Sequence, residues 1–186
     1  INLYSTDGTE YKDFMAGIAV SVLGHSHPAL VNALKEQVGK LLHTSSLYYI
    51  ENQAVLAKNI AEHSCADRIF FANSGAEANE GAMKLAKIYH YKKGNAYKNE
   101  IITLVNSFHG RTLATVAATG QEKYQKPYQP LTPGFHHVPI NDLNALIQTV
   151  NENTAAILLE LVQGESGVHP VDKEYIWNIR KLCDER

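Results

Sequence analysis

The chain has 186 residues, 45% of them hydrophobic and 19% charged, with a formal net charge of -2. That balance suits one ordinary globular domain with a sizeable core, excludes a disordered chain, and leaves no electrostatic footprint for a nucleic acid or an anionic membrane. No apolar run approaches the ~20 residues of a membrane span, and isolated Cys65 and Cys183 fit reduced thiols in a cytoplasmic setting rather than a disulfide framework.

Residues 1–27 are turn-rich, with strand candidates at 10–14 and 18–20. Pro28 opens an amphipathic helix, where its missing N–H costs nothing, and Leu30, Val31, Leu34, Val38, Leu41 and Leu42 follow at helical spacing. A second helix is predicted over 51–63 with Val55, Leu56 and Ile60 inward. From residue 68 the pattern alternates. A strand at 68–72 leads to a helix at 76–92 with Ala78, Ala82, Leu85, Ala86 and Tyr89 on one stripe. A strand at 101–105 leads to a helix at 112–118, and a strand at 136–138 to a helix capped by Asn141 or Asp142. A strand at 155–160 leads to a helix capped by Asp172, with Ile176, Ile179 and Leu182 inward. Strand and helix in alternation predict an α/β fold with right-handed crossovers and a mainly parallel sheet.

Ligands of such sheets bind beyond the carboxyl ends of the strands, which selects the loops at 73–76, 106–112 and 162–167. In the first, Ser74-Gly75-Ala76 runs from strand into helix. Glycine and alanine leave room for an anion at the free N–H groups, and Ser74 adds a hydroxyl. For this tripeptide alone, a plain turn with Ser74 as N-cap is the alternative; neither GxGxxG nor GK[ST] is present. In the second, Phe108 and His109 stand beside Gly110, and Arg111 (one of only four arginines) offers a planar fork suited to a carboxylate. A core phenylalanine and a surface arginine are the alternative there. In the third, Glu160 ends an apolar strand and needs a partner, while Glu165 sits in a glycine-flanked turn and is otherwise a solvated loop glutamate. His25 and His27 have no further donor at metal-ligand spacing and read as parts of a turn, so no metal is expected.

Taken together, these residues resemble the class III aminotransferases of fold type I, most closely the acetylornithine group. The matching pieces are Gly17-Ile18-Ala19-Val20, Leu23-Gly24-His25-Ser26-His27-Pro28, Phe70-Phe71-Ala72-Asn73-Ser74-Gly75-Ala76-Glu77-Ala78-Asn79-Glu80, Phe108-His109-Gly110-Arg111-Thr112, Thr119-Gly120-Gln121 and Leu182-Cys183-Asp184-Glu185. Leu161 and Ser166 depart from the family's common proline and glycine.

The resemblance implies a pyridoxal 5'-phosphate (PLP) cofactor whose phosphate is held by Ser74, Gly75 and Ala76. It implies Phe108 stacked on the cofactor ring with His109 adjacent, and Arg111, Ile18, Glu160 and Glu165 toward substrate. Ornithine aminotransferases carry a tyrosine where Ile18 stands. The resemblance thus implies transfer of the δ-amino group of N2-acetyl-L-ornithine to 2-oxoglutarate in arginine biosynthesis, in a cytoplasmic homodimer. The alternative donors are 4-aminobutyrate, succinylornithine and ornithine; a mutase or epimerase and a non-catalytic binding module are the alternatives in kind. Residues 1–50 would belong to a small domain with an interface helix, and 51–186 to part of the large cofactor-binding domain. The chain opens on Ile1 and stops at Arg186 in a helical pattern. It is therefore expected to be a segment, with the Schiff-base lysine and the aspartate for the pyridine nitrogen beyond it, and to be inactive alone.

Overall fold

The run Glu-Ile-Ile-Thr-Leu forms β3 (Glu100–Leu104), which lies between β4 (Phe135–Val138) and β5 (Thr154–Ile157) in a three-stranded parallel sheet. Ile101 pairs with Phe135 and Leu104 with Val138; on the other edge Ile102 pairs with Ile157. The computed structural model describes residues 1–186, in two compact units, Ile1–Ile69 and Phe70–Arg186.

Successive side chains of a strand point to opposite faces, and in the second unit both faces of β3 are covered. Ile102 and Leu104 pack with Val138, Leu146, Val171, Tyr175 and Ile179 beneath α7 (Leu143–Thr149) and α8 (Lys173–Glu185). Ile101 packs with Met83 of α4 (Gly75–Lys92) and Ala118 of α5 (Leu113–Ala118). Thr103 shares that second face, and its buried hydroxyl donates to the Ala118 carbonyl at 2.8 Å. A fully buried aliphatic side chain is worth about 1.5–3 kcal/mol, against about 0–1 kcal/mol for a surface ion pair. Ile101, Ile102, Leu104 and Leu146 therefore hold this unit far more than its exposed pairs, such as Arg180 with Asp184, do.

Three expectations for this unit are corrected. Residues 68–72 pair with no other strand, and Phe70 is 75% exposed; apolar spacing marks a strand candidate, but only a neighbour can take its N–H and C=O groups. The packed face of α4 is the one carrying Ala76, Asn79, Met83 and His90. Of the predicted stripe, Ala82, Leu85, Ala86 and Tyr89 line an open groove of about 850 Å³, bordered by His90 and shared with Ala156 and Leu182. Between α5 and β4 the chain forms α6 (Glu122–Gln125) and a 3-10 turn (Lys126–Tyr128), and after β5 a two-stranded hairpin, β6 (Val162–Gln163) with β7 (His169–Pro170). None of these short elements is long enough to register as a period.

In the first unit β1 (Asn2–Tyr4) and β2 (Glu10–Lys12) form an antiparallel hairpin, so the expected strand at 10–14 ends at Lys12. The expected strand at 18–20 is absent. Ala16, Gly17, Ile18 and Ala19 all have positive φ, between 46° and 66°, and make a left-handed turn, α1 (Ala16–Ala19). Asp13 holds this turn: its carboxylate accepts the Met15 and Ala16 N–H groups, each at 2.9 Å, and pairs with His25 at 2.8 Å. Those bonds offset part of the strain that L-residues meet there. They also hold the Asp13 carboxyl below its ordinary value, the Ala16 N–H most.

Pro28 does open α2 (Pro28–Val38), with the His27 ring accepting from the Ala29 N–H. Gly39, a poor helix former, stands at its C-cap, leaving Leu41 and Leu42 outside. On α3 (Glu51–Glu62), Val55, Leu56 and Ile60 are 38–52% exposed rather than inward, because periodicity finds an apolar face and not what covers it. No helix is long and apolar enough to cross a membrane.

Candidate active site

At the start of α4, Ser74 is extended (φ −152°, ψ 162°) and its hydroxyl oxygen accepts the Glu77 N–H at 3.2 Å. The Glu77 carboxylate turns back to accept the Asn73 N–H at 2.7 Å. These caps leave the Gly75 and Ala76 N–H groups without a protein acceptor, at the positive end of an 18-residue helix. Gly75 has no positive φ, and a Cβ built on it meets nothing within 4 Å. Neither backbone nor packing asks for glycine there; the missing side chain leaves open space over the N–H groups.

The loop after β3 is bonded onto α4. Asn79 donates to the His109 carbonyl at 2.8 Å, and the Thr112 hydroxyl donates to Glu80 at 2.5 Å. Gly110, at φ 131°, lies so close that a Cβ would stand 2.8 Å from both the Ala76 Cβ and the Thr115 hydroxyl. His109 is buried, 4% exposed, with Nε2 unpartnered. Burial, then the nearby His137 ring, pushes its imidazole down to about 4, so it is neutral at pH 7. Phe108 is half-buried and meets the Tyr124 ring edge-on, 5.6 Å between centroids. The Arg111 guanidinium lies 5.9 Å from the Phe108 ring and 5.7 Å from the Tyr124 ring, and no carboxylate pairs with it.

The third loop joins the second. Glu160, half-buried, accepts the Phe108 N–H at 2.9 Å, which is the partner its position demanded. Burial raises its carboxyl above the ordinary value, with the Glu165 charge adding and the Phe108 and Gly164 N–H groups opposing. Gln163, 1% exposed, donates to the Val105 carbonyl at 3.0 Å. Glu165 is held by Tyr124 at 2.6 Å, Gln121 at 2.7 Å and Lys123 at 3.4 Å. The Tyr124 hydroxyl first, then Gln121, keep its carboxyl below the ordinary value.

The structure thus gathers Ser74, Gly75, Ala76, Phe108, His109, Arg111, Glu160 and Glu165 into one bonded set, in which the start of α4 meets the loops beyond the carboxyl ends of β3 and β5. Ile18 stands in the first unit, on the left-handed turn, 83% exposed. Sequence reasoning missed Asn79, Gln121, Lys123 and Tyr124. Gln121 belongs to the Thr119-Gly120-Gln121 motif, and its chemistry becomes visible only once Glu165 is seen against it.

The profile of the family described as aminotransferase class-III matches residues 1–186. This chain belongs to the class-III aminotransferases. The class-III chain is 52% identical over 183 residues to an acetylornithine aminotransferase of Caldanaerobacter subterraneus subsp. tengcongensis, covering 98% of this chain and 47% of that protein. It is 50% identical over 186 residues to an acetylornithine aminotransferase of Methanocaldococcus jannaschii, covering 100% and 47%. The chain therefore spans less than half the length of the curated relatives it matches. Among solved structures it is similar to an ornithine aminotransferase of Toxoplasma gondii with partial occupancy of PLP at its active site. That likeness has a TM-score of 0.91 at 29% identity and covers 99% of this chain and 44% of that one. The sheet with flanking helices is the part of the class-III fold that this chain carries.

Proposed function

We propose that this chain is the cofactor-cup portion of a PLP-dependent aminotransferase. The whole enzyme would move the δ-amino group of N2-acetyl-L-ornithine to 2-oxoglutarate in arginine biosynthesis. The observation that carries this reading is the identity of 50–52% to acetylornithine aminotransferases along nearly the whole chain.

The donor set fits the cofactor's phosphate. Two N–H groups without acceptors, the Ser74 hydroxyl and a helix N-terminus are the groups an anion seeks. When bound, PLP supplies an electron sink for the carbon bearing the amine, and the protein supplies binding and orientation. Ser74, Gly75 and Ala76 would hold the phosphate, and Phe108 would flank the ring. Buried neutral His109 stiffens the loop carrying Phe108, because its backbone N–H donates to Thr119 and its carbonyl accepts from Asn79. Arg111, without a carboxylate partner, is available for a substrate carboxylate, which its planar fork suits. Glu160 and Glu165 complete the substrate side. Ile18 offers no polar partner to a free α-amino group, which favours an acylated donor. In the whole protein we assign residues 1–50 to a small domain with a helix facing a second subunit, 51–186 to the large domain, and the homodimer to the cytoplasm.

Comparing kcat/KM of the whole enzyme for N-acetylornithine, succinylornithine, 4-aminobutyrate and ornithine tests the assignment. N-acetylornithine should be preferred; a preference for 4-aminobutyrate overturns it.

A further inference from the structure

The two peptide units on either side of Phe108 are held by side chains. In the first, the Ser107 carbonyl accepts the Gln121 amide at 3.0 Å while the Phe108 N–H donates to Glu160 at 2.9 Å. In the second, the His109 N–H donates to the Thr119 hydroxyl at 2.9 Å. A peptide unit is planar and leaves each residue two soft dihedrals. Fixing both units therefore fixes φ and ψ of Phe108, and with them the direction in which its ring leaves the chain.

Thr119 is fully buried at the C-cap of α5. Its hydroxyl proton goes to the Thr115 carbonyl at 2.8 Å, which leaves an oxygen lone pair for the His109 N–H. The next residue locks this segment against the end of β3. The Gly120 carbonyl accepts the Asn106 N–H at 2.8 Å, and the Gly120 N–H donates to the Ser107 hydroxyl at 3.1 Å. A Cβ on Gly120 would overlap the Leu104 carbonyl oxygen and stand 2.9 Å from the Val105 Cα, so only glycine allows the approach. Without the Thr119 oxygen the buried His109 N–H would be orphaned, which costs more than an ordinary hydrogen bond contributes. We propose that Thr119 is a positioning residue for the cofactor, its hydroxyl setting the Phe108–His109 peptide and so the direction in which Phe108 presents its ring to PLP. The inference rests on the reading of Phe108 as the residue that flanks the cofactor ring, and says nothing of which amine is the donor.

Two readouts on the whole enzyme test this: the Kd for PLP, from absorbance titration of the apoenzyme, and the visible circular dichroism of the bound cofactor, which reports its asymmetric surroundings. Thr119→Val keeps the shape and removes the hydroxyl. It should weaken PLP binding about tenfold and reduce the visible ellipticity, and Thr119→Ser should recover most of both. Thr103→Val is the control, because it loses a buried bond of the same kind, to the Ala118 carbonyl at 2.8 Å, on the same helix end. It should lower the melting temperature and leave the Kd for PLP and the ellipticity unchanged. Should Thr119→Val not fold, Thr119→Ala, which fits any space the threonine filled, carries the same expectations. Wild-type affinity and ellipticity without the hydroxyl, no recovery in Thr119→Ser, or equal losses in Thr103→Val overturns the proposal. Phe108→Leu separates it from the reading beneath it. No loss of ellipticity there overturns the ring-flanking role of Phe108 and this inference with it, whereas a loss there but not in Thr119→Val overturns the role of Thr119 alone.

Discussion

Acid should unlock the loop around His109 in a calculable way. The imidazole is held at about 4 against an ordinary 6.5, so the folded form resists a proton that the unfolded chain accepts. Between those values the unfolded state binds more protons, and stability therefore falls as pH falls. At about 1.4 kcal/mol per pH unit, the loss reaches ~2.5 kcal/mol at pH 4.5 and about 3.5 kcal/mol once both forms are protonated. His109→Phe removes the titrating ring and the unpartnered Nε2 while keeping a flat buried side chain. Urea denaturation of wild type and variant from pH 7.5 to 4.5 isolates the effect, because every other group titrates in both. The two should differ by less than about 1 kcal/mol at pH 7.5, with the variant gaining ~2.5 kcal/mol relative to wild type by pH 4.5. Parallel pH curves would refute the reasoning, as would an NMR titration placing the His109 ring near 6.5.

Gly110→Ala places a methyl 2.8 Å from the Ala76 Cβ and the Thr115 hydroxyl at a φ of 131°. It should cost about 2–3 kcal/mol in urea denaturation and loosen the loop from the start of α4; a loss under ~0.5 kcal/mol would mean the contact is not maintained. Ala19→Gly relieves one left-handed L-residue at φ 59° and should stabilise the chain by up to ~1 kcal/mol, read as a raised melting temperature. The control Ala33→Gly, within right-handed α2, should lower it by about the same amount; equal effects of the two would show that the turn is not left-handed.

Much of the second unit is legible in the order of residues. The β3 run, Asp142 capping Ala145, and the Ile176, Ile179 and Leu182 face of α8 all appear where periodicity and capping chemistry place them. The loops after β3 and β5 follow from the rule for open parallel sheets, with Glu160 even announcing its need for a partner, whereas the loop at 73–76 follows no strand. Illegible were the features that depend on a second segment. Residues 68–72 carry a strand's composition without a strand's neighbour, and the exposed and packed sides of α4 are both rich enough in small or apolar residues to be confused. Ile18-Ala19-Val20 reads as apolar and extended, yet Ile18 and Ala19 lie within the left-handed turn that Asp13, paired with His25, holds.

For Ser74-Gly75-Ala76 and Phe108-His109-Gly110-Arg111, the sequence by itself determined the donor types, their order and the loops that bear them, because capping and strand-end chemistry are local. Only the tertiary structure decided that Gly110 lies against Ala76, that Phe108 hangs from Glu160, and that Glu165 rests on Tyr124 and Gln121 rather than on Arg111. Those are contacts between residues 34 to 52 positions apart for which no spacing rule exists. They form only when the parallel strands bring their carboxyl ends to one edge, where each buried polar group must find its partner across loops rather than along the chain.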